Sequence, residues 1–339
     1  MERPGRDAGA VATGELEAPV FIGGVPRSGT SLMRAILASH PQIAIPAAEL
    51  PLWRHFHQRY GREDLSRPDV RRRLVEAIVS HRRFVKTGLT PDADAMLRQL
   101  DLQPTVSFGG IFGDLLRQHA RQLGRSRWGV KEPYSEFHAR AMFAEFPAAR
   151  MIHMVRDPRD VIVSQRSRAK MSRQHIASVV DAWRRSVELA RRHQRDYPGA
   201  YLAVRYEDLV SDPARTVERV CEVAGLAYRP ELLDMRGETR WKGSNSSFED
   251  VRAAGRVISL EAVGRHLRRM PPADTWFVQR RVGHELERWG YVRSPLRLSW
   301  RDCARVGLSM MQEAGWRALR RLGLWGPVAR ALGRQPASR

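Results

Sequence analysis

Val20-Phe-Ile-Gly-Gly-Val-Pro-Arg-Ser-Gly-Thr-Ser-Leu-Met-Arg34 decides the fold, because it reads as a buried strand running through a glycine-rich turn into the start of a helix. In that layout the backbone N–H groups of the turn and the unpaired donors of the helix N-terminus converge on one point, and the glycines let an anion come close. Against the nucleotide-binding pattern G-x-x-x-x-G-K-[ST], Gly24, Gly29 and Ser31 fit, but Thr30 stands where the lysine belongs. A grip on a β/γ-phosphate and its metal is therefore not expected. Arg27, inside the turn, offers instead a fork of donors suited to phosphate or sulfate.

A second stretch, Arg150-Met-Ile-His-Met-Val-Arg-Asp-Pro-Arg-Asp-Val-Ile-Val-Ser-Gln-Arg-Ser-Arg168, repeats the plan. A short apolar strand ends at Arg156, Asp157-Pro158 marks the turn into a helix, and Ser164 falls two turns along it. Together the two stretches resemble the donor motifs of sulfotransferases, in particular a bacterial branch similar to the tyrosylprotein sulfotransferases. The resemblance covers roughly residues 19 to 292. It implies the sulfotransferase fold and 3′-phosphoadenosine 5′-phosphosulfate (PAPS) as co-substrate, with no metal required. By the same resemblance Arg27, Ser28, Gly29, Thr30 and Ser31 form the 5′-phosphosulfate loop, Arg156 and Ser164 bind the 3′-phosphate, and Arg168 is a further basic contact.

Of the 58 lysines and arginines only Lys86, Lys131, Lys170 and Lys242 are lysine, so arginine is the default cation of this chain. Lys131, at the end of the apolar run Trp128-Gly-Val-Lys131, matches the family lysine beside the oxygen that bridges phosphate and sulfate. A compact ammonium can follow charge building on a leaving oxygen, whereas a guanidinium prefers a bidentate partner. Lys242, in the polar loop Trp241–Phe248, resembles the late nucleotide-covering segment, and Arg256 matches a basic residue just beyond it. Tyr206, at the end of Val204-Arg-Tyr206, matches a donor-contacting tyrosine, although packing of the strand end against the next helix explains it equally well.

The resemblance implies in-line displacement at sulfur by an acceptor hydroxyl or amine, with Arg27 and Lys131 neutralising charge. It also implies a glutamate base, but the aligned position holds Ala48, and Glu49 follows one residue later. Either a one-residue shift brings Glu49 to the site or another group serves, and His55 and His57 stand close by.

Four short apolar runs, Pro19–Gly24, Trp128–Lys131, Arg150–Arg156 and Ala200–Tyr206, are separated by helical patterns, which predicts an α/β fold with a P-loop-like parallel sheet covered by helices on both faces. Ligands of such sheets sit at the C-terminal strand ends, where Arg27, Lys131 and Arg156 all fall. Residues 53–122 read as helices, broken at Thr90-Pro91 and Gln103-Pro104, that form the acceptor side, and residues 261–291 as a helical pattern closing the domain. The expected organisation is a flexible segment 1–18, a sulfotransferase domain 19–292 and a basic amphipathic extension 293–339. Between Leu296 and Arg339 nine arginines stand against Asp302 and Glu313, with Leu308, Met311, Leu319 and Leu322 at helical spacing and Trp300, Trp316 and Trp325 among them. Such a segment can lie on an anionic membrane surface, pack on its own domain or join two subunits into a homodimer.

No long apolar run and no export signal is read in the sequence, so a cytoplasmic protein, peripheral at the membrane at most, is expected. Cys221 and Cys303 suggest neither a disulfide framework nor a zinc site. The net charge of +21 attracts polyanions in general, but no nucleic-acid-binding motif accompanies it, and specific nucleic-acid recognition is not expected. Three readings remain: a PAPS-dependent sulfotransferase explains both donor motifs, a P-loop nucleotide kinase only the first, and a noncatalytic basic binding protein only the charge. The acceptor, whether small molecule, carbohydrate, lipid or peptide, is not encoded in any motif.

Overall fold

Val20, Phe21 and Ile22 are wholly buried because β1 (Val20–Gly23) is the central strand of a sheet covered on both faces. Its side chains alternate as a strand requires: Val20 and Ile22 enter one apolar cluster and Phe21 enters the other. The computed structural model describes residues 18–85, 89–102, 105–167, 173–235, 258–304, 306–307 and 311. They fall into two compact units, the first within Met1–Asp157 and Ala182–Val263, the second within Pro158–Asp181 and Gly264–Arg339.

The first unit holds five parallel strands in the order β2-β3-β1-β4-β5, with β2 Ile43–Ala44, β3 Arg127–Lys131, β4 Arg150–Val155 and β5 Tyr201–Arg205. The strand neighbours of β1 lie on opposite sides, Ile22 opposite Lys131 on β3 and Ile152 on β4, so the switch point that favours ligands falls beside its C-terminal end. One face is covered by α1 (Thr30–Ala38) and by helices following β5. On the other, Phe21 meets Trp128 edge to face at 5.9 Å, within an aromatic cluster that includes Trp53, Phe112 and Phe146.

Between β2 and β3 lie the helices α2 (Pro68–Val79), α3 (Ala93–Asp101) and α4 (Phe108–Gln122), preceded by a π-helical turn, Leu52–His57. The break near Pro91 lies between α2 and α3 as expected. After β3 come α5 (Ala139–Glu145), then α6 (Pro158–Arg166) and the long α7 (Arg173–Asp196); after β5 come α8 (Tyr206–Ser211) and α9 (Pro213–Ala224).

The second unit contains α6 and α10 (Pro272–Arg288). Buried Asp160 accepts from the backbone N–H groups of Gly264 and His266, Arg166 bonds Asp274 at 2.5 Å, and Arg159 donates to Gln279 and to the Val292 carbonyl. Two departures from the sequence expectation stand out. The two-residue strand β2, too short to show a strand period, was not anticipated. The helical pattern read over 261–291 is broken, because Pro271 and Pro272 lack the N–H groups a continuous helix needs, and α10 begins afresh with Pro272. Of the basic C-terminal run, Trp300 and Met311 are described and exposed, while Leu308, Trp316, Leu319, Leu322 and Trp325 lie outside the described residues. Among the described residues no helix is long and apolar enough to cross a membrane.

Candidate functional site

The turn after β1 tightens through the Ser28 N–H to Val25 carbonyl bond, holds Arg27 at a φ of 81°, and enters α1 through Gly29 at a φ of 91°. Gly29 caps α1 without a side chain, and the first turn has no acidic residue. The amides there are left for an external anion, and the helix dipole favours one. The Ser28 hydroxyl is buried and has no hydrogen-bond partner within the protein, a polar group free to bond a ligand or water. Thr30 is buried, and Arg27 and Ser31 are half-buried. Gly29 is required on two counts: its φ is left-handed, and a Cβ there would stand 2.5 Å from the Tyr206 ring.

Arg156, at the end of β4, is almost completely buried. Its guanidinium donates to the carbonyl oxygens of Arg27 and Ala262 and lies 4.4 Å from the centre of the Tyr206 ring. Its own carbonyl accepts from the Trp183 indole at 2.8 Å. Tyr206 thus packs between the arginine and the helix-start glycine. The Arg156 Nε is buried without a partner, a donor still to be satisfied at this corner of the loop.

Lys131 ends β3 and is 3 % exposed. Its Nζ donates to Glu49 Oε1 at 2.5 Å, and Arg83 stands 3.5 Å from Glu49 Oε2. The unanticipated strand explains how Glu49 arrives: Ile43 and Ala44 pair with Arg127 and Trp128, so the chain leaving β2 runs beside the C-terminal end of β3. Burial pushes the Glu49 carboxyl up, but the charge and hydrogen bond of Lys131, with Arg83 and Arg54, outweigh it and hold the group below the ordinary carboxylate range. Burial pulls the Lys131 ammonium down, and Glu49 offsets only part of that.

Two carboxylates that the sequence reading passed over follow Lys131 directly. Glu132 accepts from the backbone N–H groups of Trp53 and Arg54, both at 3.0 Å, tying the strand end to the π-helical turn. Glu136 accepts from Gly24 N–H at 2.8 Å and so reaches the glycine-rich loop itself. Burial raises both carboxyls to about 7. The visible signal was the run Lys131-Glu-Pro-Tyr-Ser-Glu136, two acids at the end of a buried strand where no exposed face calls for them.

His55 and His57 have aromatic neighbours: His57 lies 4.9 Å from Trp53 and 5.1 Å from Phe108, and His55 lies 4.8 Å from Phe56. Burial lowers the His57 pKa, with the Glu145 charge opposing it in part. Ser164 is buried on α6 in the second unit. Arg168, Lys242 and Arg256 lie outside the described residues.

Residues 19–230 match the sulfotransferase family. The chain is 26 % identical to protein-tyrosine sulfotransferase 1 of Danio rerio over 269 residues, which span 74 % of this chain and 66 % of that protein. It is 25 % identical to protein-tyrosine sulfotransferase 2 of Gallus gallus over 288 residues, spanning 80 % of this chain and 69 % of the relative. Among solved structures, the sulfotransferase domain of a Synechococcus olefin synthase superposes with a TM-score of 0.51 at 23 % identity, covering 79 % of this chain and 95 % of that domain, a likeness of fold. The family match takes in well over half of the residues, and the chain belongs to the sulfotransferase family.

Proposed function

We propose that this protein transfers a sulfuryl group from PAPS to a hydroxyl or amine of an acceptor by in-line displacement. The observation that carries the reading is the unpartnered Ser28 hydroxyl inside an anion-receiving loop, with Arg156 bonded to that loop and Lys131 at the end of the adjacent strand. The donor supplies the activated sulfuryl group, and the residues around the loop do the rest. Ser28, the α1 amides and Arg27 hold its 5′ end, and Arg156 the 3′-phosphate. Lys131 neutralises charge on the leaving oxygen as the sulfur–oxygen bond to phosphate breaks. Glu49, held ionised by Lys131, takes the proton of the acceptor as the new bond to sulfur forms.

Calorimetry with adenosine 3′,5′-bisphosphate and with ATP plus Mg²⁺ tests the donor assignment. Binding of the bisphosphate in preference to ATP is expected, and the reverse preference overturns it. Incubation of radiolabelled PAPS with fractionated extracts then identifies the acceptor.

A further inference from the structure

Beneath the donor loop, inside the first unit, lies a buried chain of polar side chains with no part in the mechanism above. Glu136 is wholly buried. Besides Gly24 N–H on Oε2, it accepts the Ser186 hydroxyl on Oε1 at 2.6 Å. Ser186 in turn lies 2.9 Å from His153 Nε2, and His153 Nδ1 lies 2.7 Å from the Tyr201 hydroxyl. His193 Nε2 is 3.1 Å from the Glu136 carbonyl oxygen.

The hydrogen positions follow from chemistry. Ser186 donates its single hydrogen to Glu136 Oε1, which leaves its oxygen to accept from His153 Nε2–H. Burial lowers the His153 pKa to about 3, so the ring is neutral and its Nδ1 accepts from Tyr201, whose hydroxyl burial keeps protonated. Every hydrogen bond in the chain therefore points toward Glu136, whose other oxygen holds the first amide of the donor loop. The contact needs close backbones: a Cβ on Gly23 would stand 2.3 Å from Ser135 Oγ and 3.2 Å from Glu136 Oε2.

We propose that Glu136 is a positioning residue, fixing through the Gly24 amide the conformation in which the loop receives the donor, with Ser186, His153 and Tyr201 holding the carboxylate in place. The inference rests on the sulfuryl-donor reading of that loop. A core-filling role would make volume the only requirement here, whereas an apolar side chain of similar volume leaves the Gly24 N–H and the Ser186 hydroxyl without their acceptor. A positioning role predicts that function and stability separate.

The experiment compares Glu136→Gln, which keeps an acceptor for Gly24 and meets Ser186 with an amide N–H, the Ser186, His153 and Tyr201 hydrogens reversing to match, with Glu136→Leu, which keeps only volume. Backbone hydrogen exchange is followed in a peptide covering residues 20–33 and in one covering β5, alongside the affinity for adenosine 3′,5′-bisphosphate. Glu136→Leu should raise exchange in the loop peptide and weaken bisphosphate binding, each about tenfold or more, with β5 unchanged, while Glu136→Gln stays within about threefold of the parent protein. Unchanged loop exchange in Glu136→Leu, or equal effects of the two variants, overturns the proposal. Should Glu136→Leu fail to fold, Glu136→Asp takes its place, charged but one methylene short of Gly24; raised loop exchange supports the proposal and parent-like exchange overturns it. If the parent protein does not bind the bisphosphate, the donor reading falls, and the exchange data still decide whether Glu136 orders the loop.

Discussion

Lys131 Nζ and Glu49 Oε1 lie 2.5 Å apart, so the cation assigned to the leaving group and the carboxylate assigned to the acceptor proton are each other's counter-ion. Changing one retunes the other. In Lys131→Ala the strongest influence lowering the Glu49 pKa disappears while burial, which raises it, remains. A base works ionised, so the acid limb of the pH–turnover profile should move to higher pH, in addition to a large fall in turnover. Glu49→Gln should lower turnover by about 10²–10⁴-fold with bisphosphate binding retained. An acid limb that stays in place in Lys131→Ala would remove Glu49 from the role of base.

Arg156 serves two ends at once, since its guanidinium already holds the Arg27 and Ala262 carbonyls. Arg156→Ala should weaken adenosine 3′,5′-bisphosphate by about 10–100-fold. Adenosine 5′-phosphate, lacking the 3′ group, should lose only the smaller share that comes from a loosened loop. Arg156→Lys should not rescue, because one ammonium cannot span two carbonyls and a phosphate. Equal losses for both nucleotides in calorimetry would confine Arg156 to holding the loop.

Gly29→Ala meets both the left-handed φ and the Tyr206 ring. Donor-analogue binding should fall at least tenfold, with thermal stability lowered. The double variant Gly29→Ala/Tyr206→Ala relieves the clash but not the backbone conformation, which costs about 1 kcal/mol, and should recover only part of the affinity. Full recovery would show that the ring alone dictates glycine here.

Glu132 gives a stability signature. Its folded pKa of about 7 lies above the ordinary 4.5, so its contribution is fully present below 4.5 and is lost as pH rises through about 7. Glu132→Gln does not titrate. Its melting temperature relative to the parent should climb between about pH 4.5 and 7, by roughly a few degrees, and then level off. Parallel curves in differential scanning calorimetry would show that Glu132 does not titrate in that window.

The four long strands were legible because parallel strands buried on both faces are written as uninterrupted apolar runs, and the donor loop because its glycines and Arg27 sit in sequence order. β2 was not. Two residues carry no period, and Ile43–Ala44 is a strand only because the edge of β3 is there to receive it. Glu132 and Glu136 stayed hidden for a related reason: their partners are backbone amides 79 and 112 positions away, which no side-chain pattern announces. Glu49 was readable as an offset from the expected position, but its pairing with Lys131 depends on where β2 sets the chain down.

The central place of β1 bears on how the protein is made. Val20 pairs with Gly129 and with Arg150, both more than a hundred residues downstream, so the first strand to leave the ribosome has no partner until β3 and β4 have been synthesised. At about 5–20 residues per second, the apolar segment Val20-Phe-Ile22 waits many seconds in the open, exposed to aggregation and in need of chaperone cover. The anion loop can take its final shape only afterwards, once Glu136 and the helix bearing Ser186 have also emerged.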